Sequence, residues 1–283
     1  MKIAVLADIH GNLPALEAVA AHIDAWQPEA VIVGGDIVNR GPRSLDCLRF
    51  VQERQRRQGW QVVRGNHEDY VIFQGSPETP RSGPAFELFG PANFAYRQLD
   101  GQVSALEKMP FQTSLAAPDG SELRVTHASM GGIRDGIFPE TSDESLRRKI
   151  IPPPAVLCVG HTHRPLIRQV DQTLVVNVGA VGAPFDGDLR AGYAQLCWQR
   201  GGWRVEIIRL DYDRAQTERD FFETGFVAES GPVSHIMLAE LRAARSYLYL
   251  WMHRYEAPVL AGEVTIEEAV NEYLAELGVT VSG

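Results

Sequence analysis

The sequence predicts an α/β fold from three observations. Short runs rich in Val and Ile at 2–7, 30–33, 60–63, 122–126 and 155–159 each stop abruptly at Gly, Asp, Asn or His, as buried strands do. The first of these runs alternate with segments of helical apolar spacing, which argues for strand–helix–strand units. After residue 173 the pattern changes to closely spaced apolar runs, two of them separated by Gly201-Gly202, a hairpin signal.

Taken in order, the first run ends at Asp8 and is followed by 13–23, where Pro14 sits near a helix start and Leu16, Val19, Ala20 and Ile23 share one face. The second strand ends at Gly35-Asp36. A second helix is predicted over 44–57, with Ser44 as N-cap and Leu45, Leu48 and Val51 on its inner face. Residues 74–112 carry Gly75, Pro77, Pro80, Gly83, Pro84, Gly90 and Pro91 among aromatic residues, and read as a loop-rich insertion able to roof a site. The runs at 174–178, 193–198 and 204–210 predict an antiparallel set completing a second sheet. Beyond residue 213 the chain turns helical, with one long helix over 233–255 and another over 265–277, where Thr265 and Glu268 fit a capping box. The expected organisation is a core over 1–212 and a C-terminal helical extension over 213–283 packing on it.

Composition narrows the function. Of 283 residues, 45% are apolar, enough for a substantial core, and 27 Lys and Arg against 36 Asp and Glu give a net charge of −9. That balance argues against a general nucleic-acid coat or a binder of anionic membranes. Cys47, Cys158 and Cys197 are odd in number and far apart, so neither a disulfide framework nor a zinc ribbon is indicated. No stretch approaches 18 uninterrupted apolar residues, and the N-terminal run is too short for a signal peptide, so a cytoplasmic protein with no membrane partner is expected.

The residues that end the strand runs carry the chemistry. Asp8 and His10 close the first, Asp36 the second, Asn66 and His67 the third, His127 the fourth, and His161 and His163 the fifth. In a β/α sheet those ends meet along one edge, where such folds build their sites. Imidazole nitrogens with carboxylate and amide oxygens are the donors a borderline divalent cation takes. Any one of these pieces alone reads as a turn or a surface imidazole; five together, each after a strand, do not. His22, His235 and His253 follow no strand and are read as packing or surface residues, and the aromatic residues Tyr247, Tyr249, Trp251 and Tyr255 as packing against the core, with a homo-oligomer seam through the C-terminal helices as the alternative.

Asp8-Ile9-His10-Gly11-Asn12, Gly35-Asp36 with Arg40-Gly41-Pro42, Gly65-Asn66-His67-Glu68, His127 and Gly160-His161-Thr162-His163 resemble the five signature blocks of the calcineurin-like metallophosphoesterases, over roughly residues 1–212. The segment from Asn177 to Gly182, with Asp186-Gly187-Asp188 and Arg190 to Tyr193, is similar to the closing strands of the small bacterial and archaeal phosphodiesterase branch. The resemblance implies a four-layer α-β-β-α sandwich of two mixed sheets flanked by helices, holding two divalent metal ions (Mn, Fe, Zn, Ni or Co). It assigns Asp8, His10, Asp36 and His163 to one metal and Asp36, Asn66, His127 and His161 to the other. It further implies attack on phosphorus by metal-activated hydroxide, with His67 as the catalytic group at the leaving oxygen and Arg40 holding a phosphate oxygen.

One departure bears on substrate. Ser/Thr protein phosphatases resemble this motif but carry a carboxylate where this chain has Asn39, an amide that can orient His67 or contact substrate without adding charge. Residues 35–46 are similar instead to symmetrical dinucleoside tetraphosphatases, with Arg43 as an extra phosphate contact. The expected function is a metal-dependent phosphoesterase acting on a small phosphate ester or nucleotide. The alternatives are a phosphomonoesterase, a dinucleoside polyphosphate hydrolase, or a scaffold of this family that has lost catalysis.

Overall fold

The computed structural model describes residues 1–279. The chain runs β1 (Lys2–Leu6), α1 (Leu13–Trp26), β2 (Ala30–Val33), α2 (Ser44–Gln58), β3 (Gln61–Val62), α3 (Asn66–Phe73), α4 (Pro84–Leu88), α5 (Gly90–Gln98), α6 (Ser104–Glu107), β4 (Gln112–Ala116) and β5 (Glu122–Thr126). It continues through α7 (Asp143–Lys149), β6 (Val156–Val159), β7 (Leu166–Val170), β8 (Thr173–Asn177), β9 (Ala191–Gln199) and β10 (Gly202–Leu210) to the helices α8 (Arg214–Glu223), α9 (Phe226–Ser230), α10 (Val233–Ala243), α11 (Leu248–Leu260) and α12 (Ile266–Glu276).

Two mixed five-stranded sheets, ordered β10-β9-β1-β2-β3 and β4-β5-β6-β8-β7, form the centre. Strand alternation explains the layering. Along β1, Ile3 and Val5 face the second sheet and meet Leu123, Val125, Val156, Cys158 and Val176. Ala4 and Leu6 point the other way, onto Leu16, Val19 and Val51 of α1 and α2. On β6, Leu157 and Val159 face outward to Leu146 and Ile150 at α7. Strands covered on both faces read as unbroken apolar runs, as these do.

In the first sheet β1, β2 and β3 are parallel, and in the second β5, β6 and β8 are parallel. All five strand runs that end in polar residues therefore belong to parallel ladders. This places the chemistry at one edge of the sandwich.

Several elements differ from the sequence expectation. The 193–198 and 204–210 runs form a hairpin whose turn places Arg200 and Gly201 at positive φ, but β9 pairs antiparallel with β1, so the hairpin extends the first sheet and only β8 joins the second. The unpaired side of β1 supplies the hydrogen-bonding edge, and Tyr193 buries itself against α1, where its hydroxyl meets His22 Nδ1 at 2.8 Å. Segment 74–112 carries three short helices, α4, α5 and α6, among its loops, and Pro84 and Pro91 occupy first-turn positions, where a missing N–H costs nothing. Ser44 is the first helical residue of α2 after an Arg43 cap, and its hydroxyl accepts from the Asn39 N–H at 2.9 Å.

The helix expected over 233–255 breaks in two. Ala244 adopts a left-handed conformation (φ 50°), and the buried Glu240 carboxylate accepts the N–H groups of Tyr247 and Leu248, both at 2.8 Å, capping the start of α11. The capping box of Thr265 and Glu268 forms at α12. Trp251 and Tyr255 are buried against α12, whereas Tyr249 is 73% exposed and does not pack on the core.

The C-terminal helices are tied to the first-sheet loops by charge as well as by apolar packing. Arg43 grips the buried Asp220 of α8 with two hydrogen bonds of 2.6 Å, which takes it out of the substrate contact expected for it and raises the pKa of its guanidinium, chiefly through that hydrogen bonding. Replacing Arg43 by Ala leaves a buried carboxylate unpaired, so it should destabilise the protein by about 2–3 kcal/mol in chemical denaturation, given the partial exposure of the arginine.

Candidate metal centre

Asp8, His10, Asp36, Asn66, His127, His161 and His163 meet in one place, each delivered by the loop after a parallel strand. The turns that aim them are tight. Asp8, His10, Asp36, Asn39, Arg40, His161 and His163 have φ between 48° and 68°, and make up seven of the twelve non-glycine residues at positive φ among those described. Side chains rarely adopt this conformation, and such backbone strain collects at functional sites. Two glycines open the space: a Cβ on Gly65 would fall 2.1 Å from Asp36 Oδ1, and one on Gly160 would fall 2.6 Å from Asp8 Oδ2.

Two clusters share Asp36. In the first, the ligand atoms of Asp8, His10, Asp36 and His163 lie within 4.8 Å of one another, as do those of Asp36, His127 and His161 in the second. Asn66 Oδ1 completes the second, 2.9 Å from His127 Nε2 and 2.8 Å from His161 Nδ1.

The hydrogen-bond directions show that the donor set fits a cation. His163 Nδ1 donates to the Ala183 carbonyl at 2.5 Å and His127 Nδ1 to the Gly34 carbonyl at 2.8 Å, so Nε2 of each ring points inward. There His163 Nε2 faces His10 Nε2 at 3.1 Å, and His127 Nε2 faces Asp36 Oδ2 at 3.2 Å. The inward atoms meet only one another, and His10 Nδ1 is buried without a partner. Burial, with neighbouring positive groups, lowers the pKa of His10 and His163 well below the usual imidazole range and brings His161 to about 4, so these rings are neutral, as ligands must be. Against the lowering effect of burial, the Asp36 carboxylate raises His127 to about 9. A cation between them would satisfy the same carboxylate.

Three supporting residues escaped sequence reasoning. Glu68, fully buried, accepts the N–H groups of Asp36 (2.9 Å), Ile37 (2.8 Å), Val38 (3.3 Å) and Gly65 (2.8 Å), stapling the loop after β2 to the start of α3. Burial first, then the Asp36 charge, raise its pKa to about 7. Its signal was available: a Glu three residues after Gly65 is half of a capping box. Asn177 holds the His161 loop, its amide donating to the Gly160 carbonyl and to Thr162 Oγ1, both at 2.8 Å. Glu240 pairs with Arg40 across 200 positions, a distance at which no local pattern gives a signal.

His67 stands beside the clusters. Its N–H donates to Asp36 Oδ1 at 2.8 Å and its Nδ1 lies 2.9 Å from Asn39 Nδ2. Asn39 Oδ1 accepts from the Arg40 N–H at 2.7 Å, which turns the amide nitrogen towards His67. Nδ1 is thus the acceptor, and the ring proton resides on Nε2. Burial above all lowers the His67 pKa to about 3, so this is a neutral donor. Asn39, expected to contact substrate, lines the cavity and is hydrogen-bonded to His67. A cavity of about 650 Å³ opens from the clusters, bordered by His67, Arg40 and helices α4, α5 and α11.

The sequence profile of the calcineurin-like phosphoesterase superfamily domain matches residues 1–199. The chain belongs to this superfamily. A crystal structure of a metallophosphoesterase from Sphaerobacter thermophilus covers 86% of this chain and all of its own, with TM-score 0.67 and 26% identity. A hypothetical protein from Pyrococcus horikoshii shares the fold, with TM-score 0.69 and 20% identity over 81% of this chain and 95% of its own. An uncharacterized protein of Methanocaldococcus jannaschii is 25% identical over 233 residues, 75% of this chain and 88% of that protein. A symmetrical bis(5′-nucleosyl)-tetraphosphatase of Janthinobacterium is 44% identical over 64 residues, only 22% of this chain and 23% of that enzyme. The calcineurin-like phosphoesterases are metal-dependent, and in this member the residues that resemble their signature blocks surround one buried, cation-ready volume.

Replacing Glu68 by Gln would press an amide NH₂ against backbone donors and leave some of them unsatisfied. The variant should lose about 2–4 kcal/mol of stability, read as a fall in denaturation midpoint, together with part of its metal content by elemental analysis.

Proposed function

We propose that this protein is a dinuclear metal-dependent hydrolase of small phosphate esters, with a phosphodiester or nucleotide as substrate. The observation that carries the reading is the inward convergence of nitrogen and oxygen atoms from seven side chains beside a neutral imidazole donor and an arginine. Asp8, His10, Asp36 and His163 would hold one cation, and Asp36, Asn66, His127 and His161 the other, with Asp36 common to both. The donor set of nitrogen and oxygen suits Mn, Fe, Zn, Ni or Co, among which availability decides. When bound, the cations would polarise the phosphoryl oxygens and supply an ionised water at neutral pH.

The protein's own groups complete the reaction. Water adds to phosphorus through its oxygen, the P–O bond to the leaving group breaks, and the departing oxygen ends as an alcohol. His67, with its proton fixed on Nε2 by Asn39, gives a hydrogen bond to that oxygen as negative charge builds on it. As a neutral donor it assists best with leaving groups that are already good. Arg40, 13% exposed, presents its guanidinium at the cavity, held by Glu240. His67 and Arg40 therefore border the cavity together, beside the clusters. A phosphomonoester presents the same phosphoryl group to the same donors, and a dinucleoside polyphosphate fits the likeness to the tetraphosphatases.

The test begins with purified protein assayed for bound metals and for turnover of bis(p-nitrophenyl) phosphate, p-nitrophenyl phosphate and diadenosine tetraphosphate with added Mn²⁺. About two metals per chain with turnover supports the reading; neither, after metal loading, points to a scaffold without catalysis. His67→Ala should lower kcat by about 10²-fold or more with metal content unchanged, and normal turnover in that variant would remove His67 from the mechanism. Asp36→Asn should deplete both metals and His10→Ala chiefly one, so equal depletion in the two variants would contradict a shared Asp36.

A further inference from the structure

The cavity is far larger than a phosphate group requires, and its two sides differ in chemistry. About 650 Å³ is room for a drug-sized ligand. On the metal side lie the polar groups already described. The far side is apolar, built from Leu88 and Phe89 at the end of α4, Phe138 before α7, and Leu248, Tyr249 and Leu250 at the start of α11. Three of these side chains are conspicuously exposed for their type: Phe138 45%, Tyr249 73% and Leu250 56%. Large apolar side chains left facing water around one cavity mark a surface that is covered when ligand is present.

Charge excludes one class of occupant. Each of the three arginines lining the cavity already faces a carboxylate: Arg40 pairs with Glu240, Arg164 with Glu140 at 2.6 Å, and Arg134 with Asp69 at 3.7 Å. Arg43, the remaining arginine of the loop after β2, is gripped by Asp220. Glu256 adds a negative group to the lining. Away from the metal clusters and Arg40, which serves the reacting phosphate, each arginine of the described lining already faces a carboxylate, so little positive charge is left for a chain of further phosphates.

We infer that the cavity selects a phosphodiester bearing a single negative charge and a planar, uncharged ring, of the size of a nucleoside, over a polyphosphate. The phosphate sits at the metal clusters and the ring lies on the apolar wall headed by Tyr249 and Leu250. Aromatic rings recognise one another by offset or edge contact, and the wall has such rings in Phe89, Phe138 and Tyr249. The capping of α11 by Glu240 fixes the start of that helix, so the carboxylate that holds Arg40 also sets the wall. This inference rests on the phosphoesterase reading above.

The experiment compares thymidine 5′-(p-nitrophenyl) phosphate with methyl p-nitrophenyl phosphate on the metal-loaded protein. The two carry the same charge and the same p-nitrophenolate leaving group, so they differ only in a nucleoside against a methyl group. The expected kcat/KM ratio favours the nucleoside ester by about tenfold or more, falls towards unity in Tyr249→Ser and Leu250→Ser, and exceeds the ratio for diadenosine tetraphosphate over methyl p-nitrophenyl phosphate. Both substitutions are at exposed positions, where a change of side chain is expected to alter stability little, and a thermal melt of each variant checks this. Calorimetry supplies a reading independent of turnover: thymidine 5′-monophosphate should bind about tenfold tighter than methyl phosphate, with the difference lost in the two variants. Hydrolysis of the methyl ester with a ratio near one, a ratio unchanged by both substitutions, or preference for diadenosine tetraphosphate overturns the inference and leaves the phosphoesterase reading standing. Failure to turn over any of the three esters with metal bound overturns both.

Discussion

Two buried carboxylates, four imidazoles and an amide oxygen aimed at one another make an arrangement that a protein does not form for stability. Asp36 alone lies within reach of His10, His127 and the His67 N–H, and Asp8 is pressed close enough to share its field. The two carboxylates repel each other in this buried space, and positive charge in the middle makes the cluster favourable. Much of the surrounding architecture is what holds these groups together against that repulsion. Parallel strands from two sheets end at the same edge, left-handed turns aim the side chains, and two glycines make room for the carboxylates.

The supporting contacts divide the labour by distance from the centre. Glu68 fixes the backbone between Asp36 and Gly65, so the shared carboxylate and the Asn66–His67 turn move as one body. Asn177 does the same for the His161 loop. The outward N–H of His127 and that of His163 are each pinned on a backbone carbonyl, which turns Nε2 inward. Asn39 applies the same logic to His67 with the opposite polarity: an amide in place of a carboxylate makes Nδ1 the acceptor and turns the proton to Nε2. The result is a neutral hydrogen-bond donor beside the clusters.

The C-terminal helices decide what surrounds that chemistry. Asp220 and Glu240 reach from α8 and α10 to the two arginines of the loop after β2, holding one and consuming the other. An arginine motif that resembles a phosphate-binding element is thereby turned partly into a structural joint. Glu240 also ends the run between α10 and α11, so a single buried carboxylate links the shape of the wall to the position of Arg40.

Much of this was legible in the residues, for a physical reason. Strand burial on both faces leaves an unbroken apolar run, and the polar residue that ends it is where the sheet edge must be; Asp8, Asp36, Asn66, His127, His161 and His163 could be read that way. Thr265 and Glu268 announced their helix because a capping box acts over three residues. Tertiary structure alone decided the rest. Backbone pairing, not local pattern, sent the β9–β10 hairpin to the edge of β1 instead of the second sheet. A left-handed Ala244 and the cap from Glu240 broke an apolar stretch whose periodicity continues without interruption. The partners of Arg40 and Arg43 lie about 200 and 177 positions away, where charge complementarity depends on the packing of whole helices. Local sequence determines which groups are available and which way each element faces; only the folded chain determines which charges are already spent.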